Sequence, residues 1–376
     1  MKGSFIHLNG KKDEFKLFWP KSKSHLNRTA TLHFFTPYYG SQNVLLAHTE
    51  YWVNEFSKYF DNVKVYAVHV EPEKSASEGV SIYEIGGGTV FRRVIAVRRL
   101  ISVSAQILLD RRTPFIFYHM LPEPSLILGP LLRLRKGKQL LWYAHSKHKW
   151  VLPIAETLVD IVVTPTATSF PIKSKKIIVV GHAIPSQGNE LQKDFATSKR
   201  SREVLFVGRI SAIKRLEKVM WAMSHSDCTV KRFVLVGPIL DSNYMVNLKE
   251  LAKNLEIEMD FRPEVPLELI HTVMSGSSFF FSGSPKSLDK ASAQAAIYGC
   301  FVLSEEEKIL DATGMNSIWS ELGFSEAPSL VNQITILNSL DKKMETRFRS
   351  KIMNSAFSMN RLDKTIEKIA NLFRSR

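Results

Sequence analysis

Short apolar runs alternate with amphipathic stretches on both sides of a polar segment at 186–201, which predicts an α/β protein of two domains, each built on an open parallel sheet. Three observations carry that expectation. Thr31–Phe35 reads as a strand, 42–60 as a helix and Val63–Val70 as a strand, the repeating unit of a parallel sheet. The same alternation resumes beyond 201, with strands at Val204–Val207, Arg232–Val236, Met259–Arg262, Phe279–Ser282 and Phe301–Ser304. The chain has 376 residues, 44% hydrophobic and 23% charged, enough for two domains that each bury a core.

The elements follow in order. Residues 1–28 are polar with scattered aromatics and form an extension, either a small hairpin or a mobile arm. A first domain runs over 29–190. Gly40 lies where its first strand turns into its first helix. The run Glu84–Thr89 is a glycine turn whose spacing fits neither a P-loop nor a dinucleotide fingerprint. Residues 91–110 form a helix carrying Arg92, Arg93, Arg98 and Arg99, either a membrane-surface helix or a packed helix with a solvated face. Pro114–Tyr118 is a strand that ends at His119, and Gln139–Tyr143 is one that ends at Ala144-His145. Between them a helix ends in basic residues, which suits its dipole. Residues 153–164 continue the alternation, and Lys176–Val180 closes the domain. The second domain covers 200–352. A C-terminal helix segment, 353–376, repeats apolar residues at Leu362, Ile366, Ile369 and Phe373, a stripe able to pack back on the first domain.

The stretch Glu203–Met223 is the most informative. Four apolar residues form a strand, Gly208 turns the chain, and helical spacing begins at Leu216. The loop between carries Arg209 and Lys214 at the carboxyl end of a strand and the start of a helix, where an open α/β sheet binds anions. Val-Gly-Arg-Ile-x-x-x-Lys here resembles the opening of the second domain of family 4 glycosyltransferases, of the GT-B superfamily. The segments 141–145, 155–160 and 173–181, and Val236-Gly237-Pro238, fit the same family.

That resemblance implies the GT-B fold: two Rossmann-like domains facing each other across a cleft, with the final helix crossing back. It implies a retaining hexosyltransferase that draws on a UDP- or GDP-linked sugar and passes the hexose to a glycan or polyprenyl-linked acceptor. Arg209 and Lys214 fall on the positions that hold the donor diphosphate, with Gly208, Gly237 and Pro238 beside them. His145 falls on the histidine that faces the donor sugar. Gly40 and His119 lie on the acceptor side. The segment Ser282–Gly299 matches the donor-site helix, and Ser284, Ser287, Asp289, Lys290 and Gln294 are its candidate contacts. The family usually has two glutamates eight positions apart there, and this sequence has Lys286 and Gln294. Their loss motivates the alternative of an inactive GT-B protein that binds a nucleotide sugar or glycan as a partner or regulator.

No Asp-x-Asp element of the GT-A kind is present, so the expectation is a metal-independent reaction without a cofactor. Two cysteines, Cys228 and Cys300, make neither a disulfide framework nor a zinc site and suit a reducing cytosol. The net charge is +15, and residues 1–195 hold 26 Lys+Arg against 15 Asp+Glu. That excess of +11 suggests a peripheral contact with anionic lipid on the inner face of a membrane. Nucleic acid is the rival partner, but no nucleic-acid module is recognisable.

Overall fold

The computed structural model describes residues 4–6, 12–14, 30–40, 48–71, 77–86, 90–110, 113–133, 137–145, 148–185, 195–263, 265–266, 269–284 and 289–374. A small antiparallel hairpin, β1 (Ser4–Ile6) with β2 (Lys12–Glu14), precedes the first domain. The domain itself runs β3 (Thr31–Tyr39), α1 (Thr49–Phe56), β4 (Asn62–Val70), β5 (Val80–Glu84), α2 (Val90–Leu109), β6 (Pro114–His119), α3 (Ser125–Leu132), β7 (Lys138–Trp142), α4 (Val151–Leu158), β8 (Ile161–Thr164) and β9 (Ile177–Val179). Its seven strands are all parallel, in the order β5-β4-β3-β6-β7-β8-β9. The second domain runs β10 (Ser201–Val207), α5 (Leu216–Ser224), β11 (Arg232–Val236), α6 (Ser242–Asn254), β12 (Glu258–Arg262), α7 (Ile270–Gly276), β13 (Ser277–Phe281), α8 (Lys290–Ile297), β14 (Phe301–Leu303), α9 (Glu307–Thr313), α10 (Met315–Glu321), α11 (Leu330–Asn338) and α12 (Lys342–Asn360). Five parallel strands are ordered β12-β11-β10-β13-β14. The last helix is α13 (Leu362–Arg374).

The predicted two-sheet α/β architecture is the one observed. Parallel strands need both faces covered. In the first sheet, Leu32, Phe34, Val63, Val65 and Phe117 point to a layer that includes Trp52, Val53 and Phe56 of α1. Phe35, Tyr66, Ile116, Tyr118 and Leu141 point the other way, against Leu100, Leu128, Leu132 and Leu152 of α2, α3 and α4. The helix expected over 42–60 is α1 over 49–56, and residues 41–47 lie outside the described set. One strand, β5, lies where no strand was expected. It is an edge strand with Ser81, Tyr83 and Glu84 exposed, so its composition lacks the apolar density that marks the central strands.

The expected boundary between 352 and 353 falls inside α12. Phe348, Ile352, Ala356 and Phe357 all belong to the second core, so the chain crosses over at Arg361 instead. There the two crossing segments run side by side. The Asn360 carbonyl accepts from Ile184 N at 2.7 Å, its side-chain oxygen accepts from His182 N at 3.0 Å, and Leu362 N donates to the Ile184 carbonyl at 3.0 Å. Beyond the crossing, α13 lays Leu362, Ile366, Ile369 and Phe373 onto the first core. Phe373 meets the rings of Phe115 and Phe60 at 5.5 and 5.8 Å. Thr365 donates to the Val180 carbonyl, and Lys138 donates to the Leu372 carbonyl at the helix end. Four such side chains, at about 1.5–3 kcal/mol each, hold the helix firmly on the first domain.

The segments meet this closely because position 181 is glycine. Its φ is +89°, and a Cβ there would lie 1.9 Å from the Met359 carbonyl oxygen. Gly181→Ala should therefore destabilise the protein by about 2–3 kcal/mol through strain at the crossing. Urea unfolding measures it, and an unchanged midpoint would show that the crossing tolerates a side chain.

Candidate functional site at the junction of the two sheets

The second-domain half of the site is three loops stacked edge to edge. In the sheet order β11-β10-β13, the loop after β10 lies between the other two. Gly237, after β11, has φ +135°, and a Cβ on it would come within 2.3 Å of the Gly208 oxygen. A Cβ on Gly283, after β13, would come within 1.7 Å of the Lys214 oxygen. Each neighbour thus touches the central loop through a glycine. Ile210 N donates to the Pro238 carbonyl at 2.9 Å and Leu240 N to the Ile210 carbonyl at 3.0 Å, which ties the loops after β10 and β11 together. Residues 212–214 form one 3-10 turn, Arg215 takes a left-handed conformation at φ +49°, and α5 begins.

Arg209 stands exposed on this loop. Lys214 does not stand alone. Its Nζ donates to Ser284 Oγ at 2.6 Å and to Asp289 Oδ2 at 3.0 Å. Asp289 is also the N-cap of α8, its Oδ1 accepting from Ser292 N at 2.9 Å. Burial by itself would raise the Asp289 carboxyl, but the Lys214 charge and the hydrogen bonds from Ser284 and Ser292 outweigh it and bring the pKa down to about 2. So Lys214, Ser284 and Asp289, three of the residues picked from the sequence, form one cluster at the start of α8. Ser287 and Lys286 lie outside the described residues.

Lys290, the first residue of α8, is different. It is partly buried, and no described residue is its hydrogen-bond or ion-pair partner. Desolvation alone brings its ammonium down to about 8. Its charge acts on first-domain imidazoles. His119 is fully buried at the end of β6, and burial, with the Lys290 charge second, holds its pKa at about 3. His48, just before α1, is held well below its ordinary value by burial, then Lys290, then His119 and His182. The Lys290 charge thus acts on two imidazoles of the first domain.

Thr36 Oγ1 lies 3.2 Å from the Tyr38 carbonyl and 3.3 Å from His119 Nδ1, so its single hydroxyl proton serves one or the other. His119 Nε2 is buried and has no hydrogen-bond partner among the described residues. Packing against Trp52 at 4.9 Å and Phe34 at 5.4 Å fixes the ring.

The other picked residues fall as follows. Gly40 ends β3 with φ +150°, and a Cβ there would meet the Glu71 carboxylate, so glycine is required by that contact. Gln294 is buried in α8 and hydrogen-bonds the Tyr298 side chain. His145 is exposed, three residues beyond β7. The described imidazoles on which the Lys290 charge acts are His119, expected on the acceptor side, and His48. Sequence reasoning passed over His48 and His182. His182 follows β9 at the carboxyl edge, a position that strand-end reasoning alone would have flagged. His48 lies within the stretch expected as a helix over 42–60 and stands at the N-cap of α1.

No protein-family profile and no curated protein matches the chain. Solved structures do. Anabaena HepE in complex with UDP superposes with a TM-score of 0.65 at 12% identity, over 92% of this chain and 100% of its own. A glycosyltransferase from Rickettsia africae gives 0.65 at 12% identity, over 93% and 98%. The catalytic domain of starch synthase IV from Arabidopsis thaliana, bound to ADP and acarbose, gives 0.60 at 12% identity, over 92% and 99%. At these identities the likeness is one of fold, and the fold is GT-B.

Asp289→Asn keeps an N-cap oxygen but removes the charge opposite Lys214. The wild-type carboxyl is depressed, so its contribution is present above the unfolded pKa near 4 and is lost as pH falls through about 2. The stability gap between wild type and Asp289→Asn should be full at pH 5–7 and closed by about pH 2. Chemical denaturation across that range checks it, and a gap independent of pH would contradict the pairing.

Proposed function

We propose that the protein is a glycosyltransferase that moves a hexose from a UDP- or GDP-linked sugar to a lipid-linked or polysaccharide acceptor, with retention of configuration. One observation carries the reading: Lys290, a cation at the head of α8 with no hydrogen-bond or ion-pair partner among the described residues, stands next to the Lys214–Ser284–Asp289 cluster, and its charge acts on His119 and His48 of the first domain. A desolvated ammonium that no described carboxylate offsets is stabilised by an anion arriving with the ligand. Arg209 and Lys214 lie at the same edge of the second sheet, and Lys214 has used only two of its three donors. Together the three cations can receive a diphosphate and stabilise it as it leaves. His119 Nε2 can hydrogen-bond a sugar hydroxyl. HepE has been crystallised with UDP-glucose and starch synthase IV with ADP, which supports a nucleotide-sugar donor. Arg209 and the two lysines supply the charge that a metal supplies in other transferases.

Gln294 and the loss of the family's glutamates favour a second reading, an inactive protein that binds the nucleotide sugar or a glycan. The +11 excess on residues 1–195 supports work at the inner face of a membrane, held there by anionic lipid.

A panel of UDP- and GDP-sugars, read by nucleotide release, tests the reading. Release is expected from at least one donor, and Arg209→Ala or Lys290→Ala should each lower turnover on the order of 10²-fold. Nucleotide binding without release from any donor would leave the second reading in place. If neither substitution changes binding or turnover, the site lies elsewhere.

Lys290 also links donor binding to protons. Its pKa is about 8 without ligand, and a diphosphate beside it should move the value back towards about 10. Between those values binding takes up a proton, so affinity should fall as pH rises from 8 to 10. Calorimetry of UDP binding at pH 9, in two buffers of different ionisation enthalpy, measures the uptake. It should vanish in Lys290→Met, and zero uptake by the wild-type protein would refute the role.

A further inference from the structure

The outer face of the α2–α3–α4 layer carries an apolar row that no other part of the described fold covers. Val94, Val97, Ile101 and Leu109 of α2 are 56, 45, 54 and 81% exposed. They stand at i, i+3, i+7 and i+15, one stripe of a helix. The opposite side of the same helix, Leu100, Ser104 and Ile107, is buried against the sheet. So α2 is apolar on two sides, and only one of them faces the core. Across the layer, Leu131 of α3 and Trp150 and Ile154 at the start of α4 are also exposed, Trp150 to 74%.

The charge of the layer is one-sided. Over Val90–Leu109 there are four arginines and no acidic residue. Helix α3 has no charged residue, and the one acid of α4, Glu156, accepts from Ser174 Oγ. Arg98 is exposed beside the stripe, while Arg99 reaches back to the Glu84 carbonyl.

We infer that this face is a membrane-docking surface, on which α2 lies in the plane of an anionic bilayer with Val94, Val97, Ile101 and Leu109 among the lipid chains and Arg98 at the phosphates. The inference deepens the proposed membrane contact by naming its surface. It separates insertion from attraction by charge alone. Twenty residues of helix give about 30 Å of contact. Among the described residues no helix is apolar enough to cross a membrane, so the face lies on the bilayer and does not span it. A second copy of the chain is the weaker occupant. Two-fold pairing through this patch would bring the Arg98 side chains of two copies onto one face, with no acid in α2 or α3 to offset them. A bilayer of acidic lipid supplies the missing charge and apolar volume at once.

Topology adds an orientation. Helix α2 follows β5 and α4 follows β7, so Val94 and Trp150 stand at the carboxyl edge of the sheet, the edge that holds His119. A bilayer on this face therefore lies beside the mouth of the site, where a lipid-linked acceptor would enter.

Flotation of the full chain with phosphatidylcholine vesicles, with and without phosphatidylglycerol, tests the surface without any donor. Wild-type protein should float with the acidic vesicles at low salt. The double variant Val97→Ser/Ile101→Ser should lose on the order of tenfold in partitioning, with its thermal unfolding unchanged. Arg98→Glu should lose a similar factor, and covers the case in which the double variant misfolds. Trp221→Ala, an exposed apolar residue of the second domain, should float as wild type. If Arg98→Glu weakens binding but a folded double variant does not, charge alone attracts the lipid and the insertion is wrong. Failure of wild-type protein to float on acidic vesicles, or its concentration-dependent dimerisation without lipid that Ile101→Ser abolishes, would overturn the proposal. Neither result touches nucleotide release in solution, so the transfer reading stands or falls separately.

Discussion

The pairing of Asn360 with the 182–184 segment is the constraint on which the rest depends. Its carbonyl and side chain hold Ile184 N and His182 N, and its own amide donates to the Ala356 carbonyl at 3.0 Å. One residue thus closes α12, starts the crossing and fixes the strand-end segment that carries His182. With α13 anchored beyond it, the second sheet has little freedom to choose which part of the first it faces. The effect of the Lys290 charge on His48 and His119 follows from that, because these residues come from chain positions far apart and share no local element.

Two lysines of the site are treated oppositely, and the difference has a physical reading. Lys214 is held by Ser284 and Asp289, and Asp289 is in turn spent on capping α8. That cluster is satisfied before any ligand arrives, so it shapes the loop and presents one remaining donor. Lys290 is desolvated, and no described residue is its ion-pair partner. Such a group is a candidate for compensation by a ligand or partner. The histidines on which its charge acts cannot supply it, since burial and the Lys290 charge keep both His48 and His119 neutral.

Much of the fold was legible in the sequence because parallel strands buried on both faces are dense in apolar residues, as in Val204–Val207 and Arg232–Val236. The stripe of α13 was legible for the same reason at helical period. The edge strand β5 was not, since an edge can be polar without penalty. Nor was the end of α12, where the signal lies in a tertiary contact to Gly181. In the site, Arg209, Lys214, Ser284, Asp289 and Lys290 are readable as candidates because they belong to two short stretches at strand ends. The reach of the Lys290 charge to His119, 171 positions away in sequence, has no local signature.

Position 294 bears on the charge balance at the head of α8. Gln294 stands four residues after Lys290 and hydrogen-bonds the Tyr298 side chain, so its amide is engaged within the second domain. A neutral side chain there adds no carboxylate to α8, so among the described residues the balance rests on Asp289, which already faces Lys214, and on Lys290.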